Sequence, residues 1–483
     1  MRETRAGKKR RSYRPGKYGR YVRRLRDFWA QYRRSRIGMA GLIMLIFFIG
    51  MALLAPLLTP YDPLVEHALA EGFAMPEWVL LFPQYADLPK TMRLTPAWRA
   101  YAPEGVELTT IEDTLYIRYG GGESRPFEIK MNYTFPYQYE APQTFRVSFW
   151  WMAANVTSAE YSTSLSLTSP GGREYTLWVN PFSTRERKWE RRFIDSSDMA
   201  FKMQLGFPPT ENLANAVFSE RGNYTLRLTV AVQPTAGRSS LKIGFRDFSL
   251  FIPGLVHGIL GTDHIGGDLF AQLVYGTRIS LVLGVLASLA ATVIGLVVGT
   301  LSGYLGGAVD EISMRSVDVL LCLPVLPLLL SLVFFFGKSV WYIVILIAIF
   351  GWLSLARIVR SRVLSLKEMV FVEACRAVGA GDIRIMFRHI VPHVIPIALA
   401  SMVLGIPGAI LTEAALSFLG FGDPRVSTWG RMLHFAQSFG AFTKLAWWWI
   451  IPPGLAITLL CLSFVFIGHA LDEIVNPRLR ERV

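Results

Sequence analysis

The sequence predicts a polytopic α-helical membrane protein of six transmembrane helices, with a large all-β insert, sandwich- or jelly-roll-like, between the first and second spans. Three observations predict it. The 483-residue chain is 52% apolar with a mean hydropathy of +0.34, too apolar for a wholly soluble domain. Six stretches, 37–59, 278–303, 315–337, 339–358, 394–419 and 446–470, reach the length of about 20 residues that a helix needs to cross a hydrocarbon core. Between the first two, the apolar period changes to two.

The formal net charge is +14, and its location decides its meaning. Residues 1–36 hold fifteen Lys or Arg against Glu3 and Asp27, so the rest of the chain is close to neutral. A basic run just before a span is retained on the cytoplasmic side and attracts anionic lipid headgroups. Nucleic acid is set aside as a partner, since no aromatic-interleaved binding fold accompanies the charge. The run is too long, and the apolar stretch 37–59 too extended, for a cleaved signal peptide, so it reads as an uncleaved anchor.

With the N-terminus inside, alternation fixes the other loops. Residues 357–393 fall inside and carry Arg357, Arg360, Arg362, Lys367, Arg376, Arg384 and Arg388 against three acids, as the positive-inside rule requires. The tail 477–483 also falls inside, and residues 60–255 fall outside. A multi-pass plasma-membrane protein with both termini cytoplasmic follows, divided into a basic segment 1–36, a first span 37–59, an extracytoplasmic insert 60–255 and a membrane core 256–483 with a cytoplasmic loop 359–393.

In the insert Phe127, Ile129, Met131, Tyr133 and Phe135 alternate with polar residues, as do Tyr224, Leu226, Leu228, Val230 and Val232. Period two over such lengths predicts half-buried strands. Similar alternation at 115–119, 144–151, 163–167, 175–179 and 241–250, with turn clusters between, predicts the sandwich. Three glycosylation sequons, at Asn132, Asn155 and Asn223, fall in this insert. Cys322, Cys375 and Cys461 all lie outside it, which leaves it without a disulfide. In these phases Trp150 and Trp178 occupy the polar face, where an indole stacks on a sugar ring or packs on a partner. An edge position covered by a loop is the plainer reading and is preferred.

The cytoplasmic loop is unusually well punctuated. Leu366, Val370, Ala374 and Ala377 recur at helical spacing, with Lys367, Glu373 and Arg376 off that stripe, predicting a short amphipathic helix. Gly379 ends it as a C′ glycine, Ala380-Gly381 makes the turn, and Asp382 caps a second helix that stops near Pro392. Arg384 and Arg388 add mixed charge to this helix, turn, helix unit.

Glu373-Ala374, then Gly379, then Pro392 thirteen residues later, resembles the EAA loop of ABC importer membrane subunits. Gly261-Thr-Asp-His-Ile-Gly-Gly-Asp268 with Tyr275-Gly-Thr-Arg-Ile-Ser280, Thr412-Glu-Ala-Ala-Leu-Ser-Phe-Leu-Gly-Phe-Gly422, and Ser427-Thr-Trp-Gly430 are similar to segments of the C-type subunits of dipeptide/oligopeptide permeases. With Ala55-Pro and Pro60-Tyr-Asp-Pro63 the resemblance covers 20–63 and 258–483, not the insert. Cys375 replaces the second Ala of the motif, His389 stands where many importers have Ile, and Gly267 occupies a site that is often Arg.

The resemblance implies the type I ABC importer permease fold. It also implies that the chain forms half of a heterodimeric pore with a homologous permease, working with two cytoplasmic ATPases and an extracellular solute-binding protein. ATP and Mg would be bound by the ATPases, leaving this chain without a cofactor and without enzymatic activity. Glu373, Ala374, Arg376, Gly379, Gly381, Asp382, Arg384, Arg388 and Pro392 would form the coupling surface, with Glu373 and Arg376 pairing with charges on the ATPase. Relatives in the family carry peptides, nickel complexes or, in archaea, oligosaccharides. The exported β domain tilts the expectation toward including sugars.

Other signals weigh less. Gly337-Lys-Ser339 lacks the earlier Gly of a phosphate loop, since position 332 is Leu. The Gly295, Gly299, Gly303 ladder predicts a close helix contact. Glu413 is costly in lipid and is a candidate for the translocation path, while Asp318 fits the cytoplasmic interface. Pro324, Pro327, Pro396, Pro407 and Pro452 suit a gated path or a static bundle alike. No metal cluster or nucleophile constellation stands out. The rival reading is a membrane-anchored carbohydrate-binding or enzymatic β-domain with passive spans, for which one span would suffice.

Overall fold

The computed structural model describes residues 26–475 apart from 102, 104, 112, 122–124 and 236–238, so most of the basic segment and the tail 477–483 lie outside the described residues. The chain divides into two compact units. The first takes the described residues up to Pro60, then Gln272–Ser438, and those from Ile451; the second takes Tyr61–Ala271 and Phe439–Ile450.

The first unit is helical. Helices α1 (Arg36–Leu53), α2 (Leu269–Leu305), α3 (Gly307–Cys322), α4 (Val325–Phe336), α5 (Val340–Gly351), α6 (Leu353–Lys367), α7 (Val370–Ala377), α8 (Asp382–Ile385), α9 (Val391–Leu416), α10 (Trp429–Ser438) and α11 (Trp447–Val475) follow in order. Among the described residues five continuous helical stretches are long and apolar enough to cross a membrane: Arg36–Leu53, Leu269–Leu305, Val340–Lys367, Asp382–Phe421 and Trp447–Ile474. The expected span 315–337 falls in a broken pair, α3 and α4 meeting at 91°, which together are long and apolar enough to count as a sixth span. Pro324 explains the break: it lacks an N–H and pushes Leu323 into extended backbone, ψ 140°.

Small residues set the helix contacts. Ser35 caps α1 by accepting from the Gly38 N–H at 3.2 Å. A Cβ on Gly38 or Gly41 would lie within 2.7 Å of Ala470 or Phe466 of α11. The glycine ladder of α2 does the same against α6: a Cβ on Gly299 would lie 2.5 Å from the Ala356 carbonyl, and one on Gly303 2.8 Å from that of Arg360. Side chains there would force the helices apart.

The second unit is built on a β-sandwich of strands β1 (Met92–Leu94), β2 (Arg99–Tyr101), β3 (Val106–Ile111), β4 (Thr114–Gly121), β5 (Phe127–Tyr137), β6 (Arg146–Thr157), β7 (Ala159–Thr168), β8 (Glu174–Ser183), β9 (Arg187–Asp195), β10 (Gly222–Pro234) and β11 (Ser239–Ile252). One sheet runs β3-β4-β11-β6-β9, with β1 also on β11; the other runs β2-β5-β10-β7-β8. Most successive strands from β4 onward switch sheets, as in a jelly roll. The alternating residues behave as predicted: Ile129, Met131 and Phe135 meet Val147, Phe149, Trp151, Ile243 and Phe245 in the core, with Leu226, Leu228 and Val230 of β10.

One indole departs from expectation. Trp178 does not lie on the polar face: its ring packs edge-on against Phe149 and Trp151, each 5.2 Å away. The irregular β7–β8 register between Leu165 and Ser166 shifts its phase. Trp150 does face outward, beside Arg246. Asn155 and Asn223 are exposed, Asn155 at a positive φ of 53°, and Asn132 is half-buried, accepting from Arg227 Nε at 3.1 Å.

Loops at the base of this unit explain one sequence segment. Asp263 accepts from the Ile265 and Gly267 N–H groups, and Asp268 caps α2 through the Ala271 N–H at 2.9 Å. A Cβ on Gly261 would lie 2.2 Å from the Ala74 carbonyl, and one on Gly266 2.3 Å from that of Ala70. A side chain at Gly267 would press on the Asp263 carboxylate.

Candidate functional site

The loop between α6 and α9 is a rigid base with an exposed tip. Helix α6 ends at Lys367, and Met369 is extended (ψ 142°) before α7 begins. That break corrects the predicted continuous stripe. Leu366 is buried, but Val370, Ala374 and Ala377 face outward, and α7 is seated through Val372 with Phe371 and Cys375 half-buried. Two residues of non-helical backbone reset the phase between the two helices.

Gly379 closes α7 at φ +83°. Its N–H donates to Arg376 O at 2.9 Å and the Ala380 N–H to Cys375 O at 3.0 Å, the paired bonds of a Schellman cap. A Cβ there would meet open space, so the glycine is required by backbone conformation alone within this chain. Gly381, not Asp382, is the N-cap of the next helix; Asp382 is its first residue, and its Oδ1 accepts from the Tyr304 hydroxyl at 2.6 Å.

The second helix does not stop at Pro392. Residues Met386–Ile390 form a π-turn, and the chain runs on into α9 with Pro392 in its first turn. The wider turn relieves the clash a proline ring would make with a carbonyl one turn earlier. Ile385, Met386 and Ile390 are buried with Val372, Val359, Val363 and Tyr304 in one cluster.

Charge surrounds this base. The Arg376 guanidinium lies 5.7 Å over the Tyr304 ring and Lys367 5.8 Å over it. The neighbouring Tyr304 side chain shifts the pKa of Arg376 upward. Glu373, Arg384 and Arg388 are exposed. The tip is apolar: Val370 is 80% exposed, Val378 88%, Ile383 72% and Phe387 62%. Ion pairs Arg360–Asp310 and Arg357–Asp318 tie α6 to α3.

A cavity of about 240 Å³ lies among α2, α4, α5, α6 and α9, with Ser288, Thr292, Ser401 and Thr412 supplying its polar wall. Glu413 is buried and does not line it, and accepts from the Ser417 hydroxyl at 2.6 Å. Tyr304 was not visible as a site residue in the sequence: it ends a long apolar span, 78 positions before its partner Asp382.

Comparison with known proteins adds the family. The family described as binding-protein-dependent transport system inner membrane component matches residues 291–481, and the N-terminal TM domain of oligopeptide transport permease C matches 24–75. Neither covers 76–290. A protein named as a peptide permease in Brucella suis is 41% identical over 219 residues, 45% of this chain and 72% of the relative. The oligopeptide transport system permease protein OppC of Bacillus subtilis is 38% identical over 222 residues, 46% of this chain and 72% of the relative. A chain of the MetNI methionine ABC transporter in an inward-facing conformation covers 42% of this chain and 94% of its own at 19% identity, with a TM-score of 0.35, a likeness too slight to define the fold.

Proposed function

Because the chain belongs to the inner-membrane component family of binding-protein-dependent transporters, as a C-type subunit of a peptide ABC importer, we propose that residues 370–388 are the joint through which cytoplasmic ATPases move its helices. The chain supplies half of a pore with a homologous permease. Two ATPases hydrolyse ATP, and a solute-binding protein delivers cargo outside. The loop and both termini lie in the cytoplasm, and the β-sandwich lies on the opposite side.

The observation that carries this reading is the pairing of an exposed apolar tip with a locked base. Force passes between subunits through an element that does not give way. Here the Schellman cap, the Tyr304–Asp382 bond and the buried Val372, Ile385 and Ile390 fix the base. Val370, Val378, Ile383 and Phe387 then offer exposed apolar side chains to a partner, on the same loop as the exposed Glu373, Arg384 and Arg388. Peptides are the proposed cargo, as in the relatives' names, with oligosaccharides as a second class. A passive anchor would need neither the additional apolar helices nor this joint, which disfavours the rival reading.

Cross-linking from Val378→Cys in the assembled transporter tests the assignment. A cross-link to the ATPase from position 378, and none from Phe335→Cys at the end of α4, is the expected outcome. The reverse pattern removes the docking assignment.

A further inference from the structure

The outer face of the six-stranded sheet holds a cavity of about 1120 Å³ formed wholly within the second unit. Four guanidinium groups line it, from Arg93, Arg146, Arg191 and Arg246. Strand register places them together. Trp150 on β6 pairs with Arg191 of β9 on one side and with Arg246 of β11 on the other, while Arg93 of β1 pairs with Phe251.

Aromatic rings hold two of these side chains in place. Arg246 lies 5.3 Å over Trp150 and 4.5 Å over Trp189, and Arg93 lies 5.3 Å over Phe251. A guanidinium lying on a ring keeps its N–H edge free for a planar anion. Arg146 donates to Asp195 at 3.0 Å. Arg246 Nε, buried, lies 4.0 Å from Asp247, beyond hydrogen-bonding reach, and has no hydrogen-bond partner among the described residues. Arg93 and Arg191 carry no ion pair among the described residues.

We propose that this groove binds short oligomers that bear carboxylates. Arg93, Arg191 and Arg246 would take the carboxylates through paired N–H contacts. The exposed Phe193 and the half-buried Trp98 add apolar surface to the groove. Asp113 and Asp247 in the wall and Asp195 beside it offset much of the positive charge. Acids interspersed with the guanidinium groups suit carboxylates spaced along an oligomer rather than the concentrated charge of a polyphosphate. Acidic peptides and uronate oligosaccharides share this chemistry. The site stands independently of the docking loop.

The test uses the full chain in detergent and follows tryptophan fluorescence, because Trp150 and Trp189 touch Arg246. Tetraglutamate is titrated against tetraglutamine, and trigalacturonate against the neutral galactose trimer. The acid of at least one pair binds about tenfold or more tighter than its neutral counterpart, and the pair that responds identifies the source. The double variant Arg93→Gln, Arg191→Gln weakens that binding by about tenfold or more while the unfolding midpoint stays unchanged. Equal binding of acid and neutral forms, no binding of either acid, or a folded double variant that binds as before overturns the proposal. The acid against neutral comparison on the unaltered chain decides it even if the variant fails to fold.

Discussion

The Tyr304 hydroxyl donates to Asp382 Oδ1 at 2.6 Å, tying the end of the 37-residue helix α2 to the first residue of α8. The same ring lies under Arg376 and Lys367. The Tyr304 side chain thus joins the end of α2 to the base of the loop, beside the apolar contacts of Leu296 and Leu301 in the same cluster.

Tyr304→Phe removes that bond and keeps the ring. A hydrogen bond to a charged group contributes about 1.5–3 kcal/mol, and Asp382 is exposed, so a loss toward the low end or below is expected. Hydrogen exchange at the Ile385 amide of α8, which donates to Gly381 O, rises while the rest of α2 stays protected. Unchanged exchange at α8 would show that the buried cluster alone fixes the base.

Gly299→Leu tests the ladder between α2 and α6. The first added carbon falls 2.5 Å from the Ala356 carbonyl and 2.8 Å from Val359 Cβ, and overpacking typically costs about 1–3 kcal/mol. The thermal unfolding midpoint of the purified chain drops. Gly408→Leu, where a Cβ meets nothing within 4 Å, shifts it less. An equal shift at both positions would count against the packing account.

Met92 and Ile252 are Cα partners at the β1–β11 junction, so a short Gly-Ser linker can replace 92–252. The strip 68–75 remains to pack on Gly261 and Gly266. The shortened chain still inserts into the membrane and co-purifies with the ATPases. Removal of 65–250 also takes away that strip and is expected to be far more disruptive. Loss of ATPase co-purification from the 92–252 replacement would make the sandwich part of the assembly interface.

Much of this was legible in the residues. Alternation at 127–135 and 224–232 predicted strands that pair in register as β5 and β10. Strand β9 was hidden because Arg187, Lys188, Glu190, Arg191, Arg192 and Asp195 make it read as a solvated loop; it is an edge strand, where one side meets no neighbour and charge is tolerated. Asp247, at φ +51°, adds a residue to β11, so Phe245 and Phe248 both turn inward, which no strict alternation predicts. In the loop, the Gly379 cap was readable from local chemistry. The stripe was misread because a break at Glu368–Met369 resets the phase, and Pro392 because a π-turn absorbs it. The Tyr304–Asp382 bond joins distant segments, which periodicity does not report.

The central claim, that residues 370–388 transmit work from the ATPases, is tested most directly by Gly379→Trp in proteoliposomes holding the complete transporter and its binding protein. The indole sits at the exposed tip and strains a backbone at φ +83°. Uptake and its stimulation of ATP hydrolysis are measured together, with chain folding checked by the unfolding midpoint. Abolished stimulation and uptake in a folded chain is the predicted result. Uptake at the unaltered rate, with stimulation intact, would contradict it.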